Sequence, residues 1–152
     1  MMIIGAAHLT ADLVDLAQQF DFETIIIDPR GVFTQKTHFK TPPDQTFEDW
    51  PAEVLPRFAL DNYTYAVLLT HDPKIDDQAI HIFLKSDVAY IGALGGRKTQ
   101  GKRRTRLLEA GFTEEEVDRI KGPVGININA KKPREIALSI LAEAIQERNR
   151  YL

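Results

Sequence analysis

The sequence predicts a doubly wound α/β domain, with a mostly parallel sheet and helices on both faces. Two observations lead to this fold class. Residues 1–28 read as strand, helix and strand, which is the βαβ unit that joins parallel strands. The predicted strands are short apolar runs rich in β-branched residues, such as residues 25–27, and continuous runs of this kind are typical of strands buried on both faces.

The composition excludes several classes of protein. The chain has 152 residues, of which 43% are hydrophobic and 27% charged, and this suits one folded domain over residues 1–152. It contains no cysteine, so disulfides, thiolate metal ligands and a cysteine nucleophile are excluded. Its apolar runs are too short to span a membrane, and its first residues lack the basic region of a signal peptide. We therefore expect a cytoplasmic protein with no membrane partner.

The charge is unevenly distributed along the chain. The formal net charge is −3, yet residues 1–96 carry 6 Lys and Arg against 14 Asp and Glu, whereas residues 97–152 carry 13 against 8. Six of the latter cations lie in residues 97–106. This pattern does not indicate a general nucleic-acid binder, and it concentrates positive charge in one place.

Hydrophobic spacing and turn residues predict the order of elements. After a first strand over residues 1–6, apolar residues at helical spacing predict a helix over 9–20, and a β-branched strand follows over 23–28. Residues 31–62 are harder to interpret, with a loop at 41–44 and a short helix from Pro51 to Phe58. The remaining predicted elements are strand 65–70, helix 76–85, strand 88–92, basic helix 97–110 ended by Gly111, a helix started by the capping box 113–116, a turn at 122–126 leading into a short strand, and a closing helix from Pro133.

The predicted strand ends define where a ligand would bind. In an open parallel sheet, ligands lie outside the carboxyl ends of the strands. Here those ends are residues 5–8, 28–30, 70–72 and 92–97, and the turn at 122–125 is a further candidate. We expect these segments to face the same crevice.

The first turn is a weakened version of a dinucleotide-binding turn. Gly5 is present, but Ala7 and Thr10 occupy the second and third glycine positions of that motif. Asp28, at the end of the second strand, is placed to accept hydrogen bonds from ribose hydroxyls, which favours an NAD-like over an NADP-like ligand. The alternative is that this segment is only the tight first turn of a doubly wound fold.

The turn after residues 88–92 has the composition of an anion site. Gly95 and Gly96 free the backbone to wrap an anion, and the following helix adds its N-terminal amides. Arg97 and Lys98 add positive charge, and Thr99 can cap the helix or donate to a ligand. The alternative is a glycine-rich connection to a solvated basic helix. We interpret the cations at 102, 103, 104 and 106 as that helix surface, or as a docking patch for an acidic partner.

Histidine and aspartate follow the strand at residues 65–70. Asp72 could orient His71 for proton transfer or ligand contact, or it could simply cap the next helix. His8 lies in the first turn. We predict no metal site and no catalytic residue.

These segments together resemble the C-terminal Rossmann-like domain of the XdhC/CoxI family, the accessory proteins of xanthine dehydrogenase. The similarity lies in residues 5–8, 28–30, 50–55, 69–72, 122–125 and 133–143, and most specifically in residues 89–99 with Lys102 and Arg103. It covers essentially the whole chain. Members of the family commonly carry an additional N-terminal domain; we expect this domain to be missing from the chain, and to be either a separate polypeptide or lost.

The resemblance implies a role in enzyme maturation. Family members are thought to bind the molybdenum cofactor (molybdopterin), protect it, assist its sulfuration and deliver it to a molybdenum hydroxylase such as xanthine dehydrogenase. Without cysteine, the sulfur must come from a partner such as a cysteine desulfurase. We expect an accessory protein rather than an enzyme, and a homo-oligomer. The predicted cofactor-binding residues are Gly5, Ala7, His8, Asp28, Arg30, His71, Asp72, Gly92, Gly95, Gly96, Arg97, Lys98 and Thr99.

Departures from the family pattern leave two other functions open. The first turn is weakened at Ala7 and Thr10, the basic turn has Gly96, Arg97 and Lys98 where serine and arginines are usual, and asparagines stand at 127 and 129. One alternative is an NAD-dependent oxidoreductase or an orphan nucleotide-binding domain. The other is a partner protein that binds no small molecule and offers only its surface.

Overall fold

The computed structural model describes residues 1–31 and 39–150. Its centre is a six-stranded sheet in which every pair of neighbours is parallel, in the order β3-β2-β1-β4-β5-β6. The predicted doubly wound, Rossmann-like fold class is confirmed. The strands are β1 (Met2–Ile4), β2 (Ile25–Ile27), β3 (Gln45–Phe47), β4 (Tyr65–Leu68), β5 (Tyr90–Ala93) and β6 (Ile120–Lys121).

Helices connect these strands and cover both faces of the sheet. Asp72 caps the helix Pro73–Leu84, and a reciprocal pair between Thr113 and Glu116 caps the helix Glu114–Val117, as the capping box predicts. A 3₁₀ turn at Leu55–Arg57 continues the short helix that Pro51 starts. The helices are α1 (His8–Gln18), α2 (Pro51–Val54), α3 (Pro73–Leu84), α4 (Arg97–Glu109), α5 (Glu114–Val117) and α6 (Pro133–Asn149).

Alternation along the strands divides the core into two halves. Ile3, Ile26 and Val67 point to one face, where α1 and α6 cover them. The next residues along β1, β2 and β4 point to the other face, under α2, α3 and α4. Because both faces are covered, the strands read as continuous apolar runs rather than as alternating ones.

Two parts of the sheet differ from the sequence prediction. The strand β3 was not predicted, because its Gln45 and Thr46 are exposed at the sheet edge and carry no apolar pattern. The short strand predicted after Gly125 is wrong: β6 instead precedes Gly122, and the turn crosses back from it toward α6. Within residues 1–31 and 39–150, no helix is long and apolar enough to cross a membrane.

Gly5 joins β1 to α1 and lies against the turn that follows β4. Its φ is +116°, a conformation that favours glycine. A Cβ at this position would lie 3.0 Å from Thr70 Cγ2 and 3.1 Å from the carbonyl carbon of Leu69, at the end of β4. The turn after β1 therefore packs directly on the turn after β4.

We expect Gly5→Ala to lower the free energy of unfolding by about 2 kcal/mol or more, because alanine is strained at this φ and clashes with backbone. Urea denaturation measures the effect. The control is Gly101→Ala in α4, where a Cβ meets nothing within 4 Å; it should stabilise the protein by about 0.5–1 kcal/mol. Equal stability of Gly5→Ala and the wild type would contradict the close packing of the two turns.

Candidate functional site

The carboxyl ends of β1, β2, β4 and β5 lie side by side at one edge of the sheet. The chain leaves β1 toward β2 on one side, whereas β4 pairs with the other side of β1. This change of direction between β1 and β4 is the switch point at which doubly wound sheets form a crevice. The turns after these strands contain the residues that the sequence predicts as a site.

The first turn uses its own amide groups internally. The Thr10 hydroxyl donates to the Gly5 carbonyl at 2.7 Å and accepts from the Ala7 N–H at 3.2 Å. The Ala6 N–H donates to Asp28 Oδ2 at 3.0 Å. Thr10, which stands where a dinucleotide motif has glycine, therefore closes the turn, and two amides that such a motif offers to a pyrophosphate have partners inside the protein. Ala7 and His8 lie exposed at the start of α1.

Asp28 and Arg30 form one fixed unit at the end of β2. The Asp28 side chain is 0% exposed, and its two oxygens accept from Arg30 Nε at 3.0 Å, Arg30 Nη2 at 2.8 Å and the Arg30 N–H at 2.9 Å, in addition to Ala6. Burial alone would raise the pKa of Asp28, but these hydrogen bonds together hold it below its ordinary value. The acceptor sites predicted for ribose hydroxyls are thus filled by Arg30.

Arg30 also reaches beyond this unit to the end of β4. A third guanidinium hydrogen bond runs from its Nη1 to the Thr70 carbonyl at 3.3 Å, so the side chain spans the ends of β2 and β4. A guanidinium has five N–H donors, and in the described part of the chain three of them have these partners. Because the Arg30 side chain is 40% exposed, its remaining donors are available to a ligand.

His71 and Asp72 separate instead of forming a pair. Asp72 Oδ1 accepts from the Lys74 N–H at 2.9 Å and caps α3, which is the alternative that the sequence left open. His71 is exposed at φ +62°, and no hydrogen bond joins it to Asp72 in the described residues. The arrangement does not support proton transfer by an Asp–His pair.

The turn before α4 is open to solvent. Gly96 is the N-cap residue of α4. The next three residues, Arg97, Lys98 and Thr99, are exposed, and the first turn of the helix contains no acidic residue. The predicted Thr99 cap does not form; its methyl group lies beside Gly95 instead. The positive end of the α4 dipole lies beside the positive charges of Arg97 and Lys98, which is unfavourable. An anion bound at this helix start would offset the repulsion.

Gly92 has a packing role. A Cβ on this residue would lie 2.4 Å from Val124 Cγ2 and 2.5 Å from the Tyr90 hydroxyl. The Val124 N–H donates to the Ala93 carbonyl at 3.1 Å, so the turn at 122–125 does join the carboxyl edge. Tyr90 donates to Glu143, which also accepts from the Gly125 N–H at 3.0 Å and fixes this turn to α6.

The surface interpretation of Arg103 is wrong. Arg103 is 5% exposed, and its Nε is the one buried side-chain polar atom in residues 1–31 and 39–150 that lacks a hydrogen-bond partner. Arg106 pairs with Asp77 of α3, and Arg104 pairs with Asp118 beyond α5. These contacts hold α4 in place and leave the start of the helix as its open basic region.

Asp76 is a buried polar residue that sequence reasoning missed. It is 2% exposed, accepts from Thr70 Oγ1 at 2.6 Å, and lies near Arg103. Burial raises its pKa to about 6, against the opposing effects of Thr70 and Arg103. Its burial could have been predicted from the sequence, since Asp76 lies on the same apolar stripe of α3 as Ile80 and Phe83.

Two other kinds of binding site are of interest in the described part of the chain, a metal site and a surface depression. Residues 1–31 and 39–150 contain no group of three or more His, Asp or Glu side chains that could hold a metal ion. A depression of about 1130 Å³ lies at the opposite edge, where Met2, Tyr65 and Tyr90 begin their strands. Its lining includes none of the predicted site residues.

The strand order, with its switch point between β1 and β4, defines a Rossmann-type α/β domain. The particular family follows from comparison with known proteins: the chain belongs to the XdhC Rossmann-domain family, whose model matches residues 1–144. The resemblance inferred from the sequence is therefore confirmed.

The chain is similar to three known proteins, and it matches part of the length of each. It is 31% identical to a probable xanthine dehydrogenase subunit of Bacillus subtilis over 99% of this chain and 43% of that protein. It is 35% identical to the molybdenum cofactor insertion chaperone PaoD of Escherichia coli over 59% of this chain and 28% of that protein. A crystal structure described as a xanthine dehydrogenase from Bacillus halodurans matches with a TM-score of 0.81 and 33% identity, over 98% of this chain and 42% of that one. The chain thus spans less than half the length of each.

The raised pKa of Asp76 predicts a pH-dependent stability. Because the folded state holds this proton more tightly than the unfolded chain, the contribution of Asp76 is full below about pH 4 and is lost as the pH rises through about 6. The free energy of unfolding of the wild type relative to Asp76→Asn should fall by up to roughly 3 kcal/mol over that interval. Urea denaturation at several pH values measures it. A difference between the wild type and Asp76→Asn that stays flat over this interval would contradict the assignment.

Proposed function

We propose that this chain is a binding module for the molybdenum cofactor, or for a related nucleotide, and that it assists the maturation of a molybdenum hydroxylase such as xanthine dehydrogenase. The observation that carries the proposal is the open basic turn at the start of α4, where Gly96, Arg97 and Lys98 are exposed with no acidic residue in the first helical turn. The names of the relatives from Bacillus and Escherichia support the same role.

The phosphate end of the cofactor fits the turn before α4. Molybdopterin is a pterin that carries a phosphate, and backbone amides at a helix start suit such a group. Gly96 leaves room for it, since a Cβ there would meet nothing within 4 Å. Arg97 supplies a planar, permanently charged donor group, and Lys98 adds a second charge.

The pterin end fits the turn after β2. Asp28 neutralises Arg30, and the carboxylates of Asp72 and Asp76 also act on Arg30, so this part of the crevice does not attract a second anion. The free donors of Arg30 suit the carbonyl and ring-nitrogen acceptors of a heterocycle. The crevice is thus polarised, with hydrogen-bonding groups near β2 and positive charge near α4, and this polarity orients a ligand that is neutral at one end and anionic at the other.

The residues of this chain bind and orient the cofactor, while the redox chemistry belongs to the molybdenum centre once it is bound in a client enzyme. The client hydroxylase and a cysteine desulfurase are proposed as partners. In this account Gly5, Gly92 and Thr10 shape the crevice, and the exposed side chains at its rim contact the ligand.

An NAD-dependent oxidoreductase is the weaker alternative. The amides of Ala6 and Ala7 are used by Asp28 and Thr10, and the acceptor sites of Asp28 are filled by Arg30. A dinucleotide bound at the first turn would have to displace these contacts. Asp72 caps α3 and does not orient His71 as an acid or base.

We expect Arg97→Ala to weaken cofactor binding by roughly 1.5–3 kcal/mol, because a charged hydrogen bond to the phosphate is lost. Anaerobic titration calorimetry with molybdenum cofactor measures the dissociation constant. The control Lys102→Ala removes the same charge from an exposed position further along α4 and should change the affinity much less. Equal affinities of Arg97→Ala and the wild type would remove the phosphate from this turn.

The same calorimetry, repeated with NAD present, distinguishes the two functions. Saturable binding of the molybdenum cofactor, with no binding of NAD or with NAD displaced by the cofactor, supports the cofactor module. Binding of NAD without any binding of the cofactor would overturn the proposal in favour of a nucleotide-binding domain.

A further inference from the structure

Gln100 fixes the peptide group between Gly95 and Gly96. Its Nε2 donates to the carbonyls of Ala93 at 2.9 Å and Gly95 at 3.0 Å, so one side-chain amide holds the end of β5 and the turn that follows. Gln100 lies in α4, five residues after Gly95, and points back into the turn from the helix side.

This contact determines where the Gly96 N–H points. In a planar trans peptide the carbonyl and the following N–H point in opposite directions. Because Gln100 holds the Gly95 carbonyl on the helix side, the Gly96 N–H points away from Gln100. No hydrogen bond within residues 1–31 and 39–150 takes up this N–H, and Gly96 is exposed.

Steric hindrance does not impose this orientation. A peptide between two glycines rotates with little cost, because neither residue has a Cβ to restrict its backbone. Gly95 already has a φ of +126°, and a Cβ on Gly96 would meet nothing within 4 Å. The hydrogen bonds from Gln100 are therefore the interaction that selects one of two peptide orientations.

Gln100 is itself held in one orientation. Arg103 Nη1 donates to its Oε1 at 2.8 Å, which leaves Nε2 to face the two carbonyls. Gly122 packs against the same amide, since a Cβ there would lie 2.2 Å from Oε1. Arg103 is buried with its Nε unpartnered; burial lowers the pKa of this guanidinium, and the nearby charges of Asp76 and Asp77 oppose that effect.

We propose that Gln100 is a positioning residue for anion binding, which acts by turning the Gly95–Gly96 peptide so that the Gly96 N–H faces a ligand phosphate. The inference rests on the proposed phosphate position before α4, and it names the residue that orients this turn for anion binding. The preferred ligand group is a tetrahedral oxyanion, because its oxygens can accept from Gly96 and from the first amides of α4 together.

The decisive variant is Gln100→Glu, which keeps the side-chain shape and the acceptor for Arg103 but removes the donors. The introduced carboxylate repels the Gly95 carbonyl and accepts from the Gly96 N–H, so the peptide turns over. In ligand-free protein, we expect the Gly96 amide proton to move downfield in the ¹⁵N–¹H correlation spectrum. Thr105→Ala, an exposed change on the same helix, is the control and should leave that resonance in place.

Anion affinity gives the second readout. Sulfate is a suitable probe, because its charge stays constant near neutral pH. In a sulfate titration followed by NMR, Gln100→Glu should bind at least about tenfold more weakly than wild type, and Gln100→Leu, which leaves the peptide free to adopt both orientations, should fall between them. If Gln100→Glu does not fold, the Gly96 amide resonance of Gln100→Leu is measured instead. Exchange broadening of that resonance is expected, because the peptide then adopts both orientations, and a sharp, unshifted resonance would overturn the inference.

An unchanged Gly96 resonance in folded Gln100→Glu, or equal sulfate affinity of wild type and both variants, would overturn the inference. Failure of the proposed function gives a different result: wild type then binds no molybdenum cofactor, while the Gly96 resonance still responds to Gln100→Glu and not to Thr105→Ala.

Discussion

Parallel pairing of β1 with β2 on one side and with β4 on the other is the constraint on which the rest of the structure depends. Ile3 lies between Ile26 and Val67 in this register, and all three are fully buried. The carboxyl ends of these strands consequently open at one edge, although they are far apart in sequence. The backbone polar groups of the turns that follow these strands each need a partner, from within the fold, from water or from a ligand.

The turns meet this requirement in two different ways. After β1, β2 and β4, side chains such as Thr10, Asp28 and Asp72 bind neighbouring backbone amides, and the turns are closed by the protein itself. Before α4, the Gln100 side chain donates to two carbonyls and accepts from Arg103, but within the described residues it binds no backbone amide of the turn, so the N–H of Gly96 stays exposed beside the cations of the helix. This difference explains why a turn that resembles a dinucleotide motif is not the strongest candidate for phosphate, and why the basic turn is.

Local sequence patterns predict the fold and the position of the crevice, because strand hydrophobicity, capping residues and topology are encoded over short stretches. They also single out the turn before α4, whose glycines and cations are adjacent in the chain. They do not predict that the Arg30 guanidinium occupies the acceptor sites of the Asp28 carboxylate, because that contact depends on side-chain direction at the end of β2. Nor do they distinguish buried Arg103 from exposed Lys102, since the difference arises from how α4 packs on α3. The edge strand β3 escapes prediction because its exposed residues need no apolar pattern.

The central claim is that the open amides before α4, and not those of the first turn, receive the phosphate of the ligand. The most direct test is an anaerobic titration of ¹⁵N-labelled protein with molybdenum cofactor, followed residue by residue in the amide spectrum. The account predicts that the largest shifts occur at Gly96, Arg97 and Lys98, with only small shifts at Ala6 and Ala7, whose amides already have partners. Large shifts at Ala6 and Ala7 with an unperturbed Gly96 would contradict it.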